Sequence, residues 1–445
     1  MEIVKDALKL TGESFQGWRL LKILGKGLDG IVYLGECPDG LAAVKIFFPE
    51  AIQSNGEEES KSRIELQLTL KGSKRHPNLV QIFDGGVDDI TGFTFLTMEY
   101  IEGESLDKVV DKIPRENIEK LFHQLCAAAH YLETQGLYHR DIKPANIVIS
   151  PDYSSLTLLD LGIIFKLNET SDDRLSGDEF VASLRYSPPE FVWRAEDGAN
   201  AEAWRAITFY QIGATLHDLI MQKQLFTGFD RPRVKLYECV KLRIPVVDAS
   251  DCPARIIQIA KYCLVKNWRD RTRLISWDAL LGEQEEAQSN LWLRHNEIRL
   301  RQIHKAETEN MKELEIEEEA GHSPTQNLWD LQNALFLEIR GHLMEDIIFP
   351  KFSATHEANG NGYALFFKFE KDDLKLFQFP LVINIFIHPS NDLPGFVELK
   401  FFGVDSDSQK EIFSSTWTEA FNIENAASIC QNALLQVADK VTIDA

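Results

Sequence analysis

The sequence is poor in cysteine and shows no pairing pattern among the six it has. Cys37, Cys126, Cys239, Cys252, Cys263 and Cys430 are scattered over 445 residues, with no C-x-x-C pair. That spacing argues against a zinc site and against a disulfide framework, and it makes a reducing, cytoplasmic location the expectation. Long apolar runs are missing as well: none approaches the ~18 residues that span a bilayer. The opening stretch, MEIVKDALKL, carries acidic residues and no extended apolar segment, so it does not read as a signal peptide. Basic residues are in deficit, 47 Lys and Arg against 69 Asp and Glu, for a net charge of −22. Such a charge disfavours nucleic acid and anionic membrane as partners and would suit a basic peptide. No internal repeat is visible.

What is present is an ordinary globular composition, 44% hydrophobic, in a chain long enough for two or three domains. An extension over 1–17 is followed by short strands, turns and one helix up to 101. Helical patterning dominates 102–282. A segment over 283–321 is rich in charge and free of internal Gly and Pro until it stops at GHSP. Its apolar seam (Leu293, Leu300, Ile303, Leu314) is thin and is interrupted by Glu307, so a long exposed helix joining domains is expected rather than a coiled coil. Residues 322–445 read as helix, strands and helix. Leu328, Leu331, Leu335 and Ile339 mark an amphipathic helix, and Lys371-Asp372-Asp373 marks a hairpin turn.

Chemistry is densest in YHRDIKPANIVI, residues 138–149, where His139, Arg140, Asp141, Lys143 and Asn146 stand before a short apolar strand. A solvated turn and a catalytic loop both fit that stretch alone. Fourteen residues after Asn146, Asp160 ends a second apolar strand. An amide and a carboxylate at two strand ends are oxygen ligands suited to Mg²⁺ and substrate phosphates. With Asp141 and Lys143 beside them, they assemble a site for phosphoryl transfer. Upstream, ILGKGLDGIVYLG places Gly25, Gly27 and Gly30 in GxGxxGxV spacing. Glycines allow close backbone approach to phosphate oxygens, although a plain hairpin turn carries the same pattern. The strand-like IVYLGE that follows fits a strand–loop–strand flap better than a dinucleotide site, which needs a helix there. Lys45, between Val44 and Ile46, is either a snorkelling edge lysine or a phosphate-binding cation. Glu65, among Ile64, Leu66 and Leu68, is its natural carboxylate partner, or else a surface ion-pair residue.

The ordered set GxGxxGxV, VKI, HRDxKxxN, DLG and SPPE resembles the eukaryotic-like (Hanks-type) protein kinases, over residues 18–282. The resemblance implies an α+β bilobal fold, with a β-rich lobe over 18–101 and a helical lobe over 102–282. The helical segment 283–321 and a small antiparallel α+β domain over 322–445 would follow. It implies an ATP- and Mg-dependent enzyme that phosphorylates serine or threonine in a protein substrate, itself included. Gly25, Gly27 and Gly30 would cover the phosphates, with Lys45 on them and Glu65 behind it. Val32, Ala43 and Val148 would enclose the base. Met98 would be the gatekeeper, and Glu99 to Ile101 the hinge. Asp141 would accept the hydroxyl proton, Lys143 would neutralise the moving phosphoryl group, and Asn146 and Asp160 would hold Mg²⁺. His139 would be structural. Ser183 would contact Asp141 and Lys143, and Glu190 would pair with Arg271.

Several positions depart from the pattern. Leu161 replaces the usual Phe, Ala182 stands where Gly is common, and Gly72 and Ser73 are extra. Thr208 takes the place of an Asp that braces the catalytic-loop backbone. An inactive scaffold of the same fold, acting through a partner of its C-terminal domain, is the rival reading, although Lys45, Asp141 and Asp160 are all retained. A small-molecule kinase would normally lack both Lys143 and the SPPE segment. The C-terminal domain holds no catalytic cluster and reads as regulatory or partner-binding.

Arg140 belongs to a class of arginines that bind phosphate on the activation segment, which here offers Thr170, Ser171 and Ser176. The expected outcome is autophosphorylation at one of them, ordering the segment through charge-assisted hydrogen bonds. Alanine at all three should then depress activity. Unchanged activity would mean that Asp172, Asp173, Asp178 or Glu179 already supplies the charge.

Overall fold

The structure is a computed structural model. It describes residues 7–161, 165–166, 184–192, 200–229, 233–282 and 292–306 with few gaps, and five strands between 352 and 420 with isolated helical positions on either side. The chain divides into two compact units, Met1–Thr227 with Ile244–Ile303, and Gly228–Arg243 with His304–Ala445.

The first unit begins with a six-stranded antiparallel sheet. Its strands are β1 (Ser14–Phe15), β2 (Trp18–Lys26), β3 (Gly30–Cys37), β4 (Gly40–Phe47), β5 (Ile82–Val87) and β6 (Thr94–Glu99), in the order β1-β2-β3-β4-β6-β5. Alternating apolar residues of β2, β3, β4 and β6 give one face Leu20, Ile31, Tyr33, Val44, Ile46 and Phe95. That face is closed by the segment before it: Ala7, Leu10 and Phe15 join the same buried cluster. The Tyr33 hydroxyl donates to the Ala7 carbonyl at 2.8 Å, and Phe15 meets Phe95 edge-to-face at 5.5 Å. Ala7, Leu10 and Phe15, expected to lie in an extension, are therefore part of the lobe's core. Helix α1 (Glu57–Leu68) lies between β4 and β5 in sequence and packs on β5.

The helical lobe follows. After β7 (Glu104–Ser105) and the single turn α2 (Leu106–Val109), helix α3 (Arg115–Thr134) buries Ile118, Leu121, Phe122, Leu125, Cys126, Ala129 and Leu132 at helical spacing. Short strands β8 (Leu137–Tyr138), β9 (Ile147–Ile149), β10 (Leu156–Leu158) and β11 (Phe165–Lys166) frame the YHRD stretch. Helix α4 (Pro189–Val192) is a single turn, and α5 (Ala201–Met221) is the lobe's centre. From Ala206 to Ile220 every residue of α5 is buried. Its Asn200 cap accepts from the Glu202 amide at 2.9 Å. Gly213 is required where α5 meets α7 (Ala254–Cys263), since an added Cβ would stand 2.3 Å from that of Cys263. Helices α8 (Trp268–Leu274) and α9 (Trp277–Leu281) complete the lobe. Helix α6 (Arg233–Leu242) falls in the second unit.

Residues 292–306 are helical, as the charged segment predicted, but they begin as part of the first unit. Asn296 is buried and donates to the Leu274 carbonyl at 2.7 Å, the Tyr262 hydroxyl donates to the Leu293 carbonyl at 3.1 Å, and Leu300 is buried. The apolar seam read from the sequence is thus a docking face in its first turns. Glu307 and Leu314 lie outside the described residues.

The second unit holds a five-stranded antiparallel meander, β12 (Phe352–Asn359), β13 (Gly362–Phe369), β14 (Leu381–Pro389), β15 (Phe396–Asp405) and β16 (Glu411–Ala420). The first of these was not marked as a strand by its sequence. One face carries Leu365, Phe367, Leu381, Ile383, Ile385, Leu399 and Phe401, packed with the helical residues Leu335, Phe336, Ile339 and Leu343. Leu328, Leu331 and the Lys371–Asp373 turn lie outside the described residues. Among the described residues, no helix is long and apolar enough to cross a membrane.

Because Phe15 is buried in the first lobe's cluster, Phe15→Ala in the full chain should cost about 3 kcal/mol of stability. Denaturant unfolding followed in that lobe measures it, and an unchanged midpoint would make residues 7–15 a mere appendage.

Candidate active site

The turn between β8 and β9 is held in a conformation its sequence would not adopt unaided. Arg140 has φ +66°, a left-handed backbone that costs a non-glycine residue about 1–3 kcal/mol. His139 is buried beside it. Its Nε2 donates to the Leu159 carbonyl at 2.8 Å while Nδ1 accepts from the Asp141 amide at 3.3 Å. One neutral tautomer satisfies both bonds, and burial pushes its pKa below the ordinary 6.5. His139 is structural, as expected, and it ties the loop to the residue preceding Asp160.

Around Asp141 the groups converge. Lys143 Nζ lies 2.6 Å from Asp141 Oδ2, and Asn146 Nδ2 donates both to that oxygen at 2.8 Å and to the Asp141 carbonyl at 2.9 Å. The carboxamide of Asn146 is thereby oriented. Its nitrogen is spent on Asp141, and its Oδ1 has no protein hydrogen bond among the described residues. Asp160, with φ +50°, presents a side chain that is 45% exposed, and Lys45 Nζ stands 3.3 Å from its Oδ1. The donor set therefore fits Mg²⁺: a carboxylate and an amide oxygen, at two strand ends, with room for phosphate oxygens.

The glycine-rich flap sorts its three glycines by function. At Gly30 a Cβ would lie 2.3 Å from the Ile46 carbonyl oxygen, so that glycine serves the close pairing of β3 and β4. At Gly25 a Cβ would meet nothing within 4 Å, and at Gly27 only the Gly30 carbonyl oxygen at 4.0 Å. Neither is required by protein packing, and the space they leave is what a phosphate chain needs. Gly27 donates to Gly30 at 2.9 Å to close the hairpin. Val32 on β3, Ala43 on β4 and Val148 on β9 are half-buried or buried. Met98 is buried on β6, opposite Ala43 and Ile82. Glu99 donates its amide to Gln81 and pairs its carboxylate with Arg75, and Ile101 is half-buried just beyond.

Two expectations come out differently. Glu65 is exposed on α1, whose buried residues include Ser60, Arg63, Ile64, Leu66 and Gln67. Among the described residues no ion pair joins Glu65 to Lys45. On a 3.6-residue period Ile64 and Leu66 stand about 100° to either side of Glu65, so apolar neighbours in sequence do not turn it inward. Thr208 does not brace the loop: its hydroxyl donates back to Trp204 at 3.1 Å within α5. One turn on, Gln211 reaches the loop instead, donating to the Arg140 carbonyl at 2.5 Å and accepting from the Ile142 amide at 3.3 Å. Nothing in the sequence marks a glutamine in an apolar helix as a loop anchor, except that a polar residue there needs partners. Leu161 is buried, in keeping with an apolar replacement. Gly162, Ala182, Ser183 and the three candidate phosphorylation sites lie outside the described residues.

The ion pair expected between Glu190 and Arg271 forms, two-pronged, at 2.5 and 3.3 Å. Arg271 is wholly buried and also donates to the carbonyls of Val265, Ala206 and Lys266 at 2.8 to 3.2 Å. Every face of the guanidinium is used, which is what a buried charge requires.

A family model described as protein kinase domain matches residues 18–281. Curated relatives include serine/threonine-protein kinase STE20 of Eremothecium gossypii, 27% identical over 63% of this chain and 28% of its own. CBL-interacting serine/threonine-protein kinase 19 of Arabidopsis thaliana is 28% identical over 52% of this chain and 49% of its own. A probable serine/threonine-protein kinase PknB of Lactococcus lactis is 28% identical over 47% and 32%. The chain spans about half or less of the length of the curated relatives it matches.

Arg271→Met should destabilise the protein by about 3–5 kcal/mol, because it strands the Glu190 charge. Glu190→Gln should cost less, since the Arg271 bonds to three carbonyls survive. Denaturant unfolding of both variants gives the comparison, and equal losses would contradict it.

Proposed function

The chain belongs to the protein kinase domain family, and from that premise we propose that it is a serine/threonine protein kinase using ATP and Mg²⁺. The observation that carries the reading is the Asp141 carboxylate, fixed by Lys143 at 2.6 Å and Asn146 at 2.8 Å, in a structure that also sets Lys45 against Asp160. Gly25 and Gly27 leave their backbone bare toward the triphosphate, and the Lys45 ammonium neutralises phosphate oxygens. Val32, Ala43 and Val148 enclose the base beside Met98, and the backbone from Glu99 to Ile101 reads its edge. Asp141 orients the substrate hydroxyl and takes its proton as the oxygen–phosphorus bond forms and the bond to the β-phosphate oxygen breaks. Lys143 offsets charge on the transferred group. Asn146 and Asp160 would hold Mg²⁺, which when bound screens the phosphate charges and fixes the leaving group.

The relatives' names support serine and threonine as acceptors, as does Lys143 two positions after Asp141. Autophosphorylation of the activation segment belongs to the same reading, with a protein substrate and a cytoplasmic location. Residues beyond 281 lie outside the matched family, and the sheet they form reads as a regulatory or partner-binding module. Glu65, exposed on α1, is not part of this reading, which rests on Lys45 with Asp160 as the charged centre.

Incubation with labelled ATP, Mg²⁺ and a mixed histone fraction tests the proposal. Asp141→Asn and Asp160→Asn should each cost at least about 10²-fold in kcat, and Asp141→Asn should still bind ATP. Transfer near the wild-type rate in both variants would sink the assignment, and a wild type that binds ATP without transfer would favour the scaffold reading.

A further inference from the structure

Gln211 stands in the middle of a helix that is buried all round, and it is itself only 1% exposed. A carboxamide there demands partners on both its ends. It finds them on the two peptide groups that flank a single residue. Nε2 donates to the carbonyl of Arg140, and Oε1 accepts from the amide of Ile142. The residue between those peptides is Asp141. The amide's orientation is settled by chemistry, because a carbonyl can only accept and a peptide N–H can only donate.

We propose that Gln211 is the positioning residue for Asp141, a neutral two-point clamp on the peptides before and after it. This rests on the kinase reading of Asp141. Three features of the geometry support it. Arg140 is held at φ +66°, a conformation that persists only where its surroundings over-determine it, and the clamp acts on that residue's carbonyl. His139 Nδ1 takes the N–H of the peptide before Asp141 and Asn146 Nδ2 donates to the carbonyl of the peptide after it, so Gln211 holds the opposite ends of those same two peptides. The residue one turn earlier, Thr208, turns its hydroxyl into its own helix and leaves the task to Gln211.

A glutamine suits the task in a way a carboxylate does not. A carboxylate can only accept, so it could take the Ile142 N–H but would face the Arg140 carbonyl as a second acceptor. The amide matches one donor and one acceptor, and it adds no buried charge next to Asp141. Clamping both peptides fixes the backbone on each side of Asp141, and therefore where its carboxylate lies relative to a substrate hydroxyl. A misplacement of about 1 Å at such a group costs about 10²-fold in rate.

The test compares full-length wild type, Gln211→Met and Thr208→Val. Methionine keeps the length and most of the volume of glutamine while removing both bonds. Single-turnover transfer from Mg–ATP to a mixed histone fraction gives the rate, and direct titration gives the ATP dissociation constant. Deuterium exchange over residues 139–147 reports the loop without reference to activity. In Gln211→Met the rate should fall at least about tenfold, ATP affinity should stay within about twofold of wild type, and exchange at the loop should quicken. Thr208→Val should match wild type in all three. Should Gln211→Met fail to fold, Gln211→Glu keeps the acceptor for Ile142 and loses the donor to Arg140, and the same split between rate and affinity is expected. Unchanged rate and exchange in the glutamine variant would overturn the clamp, and so would a rate loss matched by equal loss of ATP affinity. An inactive wild type would remove the kinase reading, and slow, unchanged exchange in Gln211→Met would remove the clamp separately.

Discussion

A helix with no solvent face must satisfy every polar group it carries from within the protein, and that constraint organises the catalytic lobe. Helix α5 comes close to this from Ala206 to Ile220, where the Tyr210 and Thr215 hydroxyls are buried polar groups without a hydrogen-bond partner among the described residues. Its Gln211 side chain holds the loop at Asp141, and its Ala206 carbonyl takes one arm of Arg271. Its Asp218 accepts from the Tyr186 hydroxyl at 2.7 Å, from the Leu225 amide at 2.6 Å and from His217 at 3.0 Å. Burial raises the pKa of that carboxyl, and those three donors lower it in part. Apart from His217 of α5 itself, these partners lie in four separate places: the loop at Asp141, helix α8, the turn ending at Tyr186 and the stretch at Leu225. The helix therefore fixes several segments at once, because an unpaired polar atom in its interior would cost about 1–3 kcal/mol.

The candidate site uses the opposite strategy. Lys45 and Asp160 are kept partly open, and Asn146 turns its oxygen away from its protein partners. The Asp160 carboxylate stays 45% exposed beside Lys45, accessible to a charged ligand. Glu190 and Arg271 illustrate the contrast in the same lobe: a closed pair, fully bonded, that serves architecture. Burial and saturation of hydrogen bonds thus separate charges that hold the fold from charges that are left for chemistry.

In the second unit the same logic appears at the level of a sheet. The strict alternation of β14, with Leu381, Ile383, Ile385 and Ile387 fully buried and Val382, Asn384, Phe386 and His388 half-buried, assigns one face to the core. On the other face Phe386 meets Phe366 and Phe402 edge-to-face, at 6.3 and 5.7 Å, across neighbouring strands. A one-residue slip would exchange the two faces, so the aliphatic pattern excludes any odd slip of register.

The sequence alone determined the ordered motifs, the two-lobed expectation for residues 18–282 and the antiparallel character of the tail. These follow from local patterns, such as strand alternation, glycine spacing and polar residues at strand ends, which need no knowledge of distant contacts. It also singled out Asp141, Lys143, Asn146, Asp160 and Lys45 as candidates, because phosphoryl-transfer chemistry demands particular residue types. Tertiary structure alone decided the rest. That residues 7–15 belong to the core, that Glu65 faces solvent and that residues 292–306 begin on the helical lobe all depend on which surfaces a segment meets, and pattern does not report that. Gln211 is the sharpest case. Nothing near it in sequence reveals its partners, which lie some seventy positions away. Only the folded chain brings a buried amide to the two peptides it can satisfy.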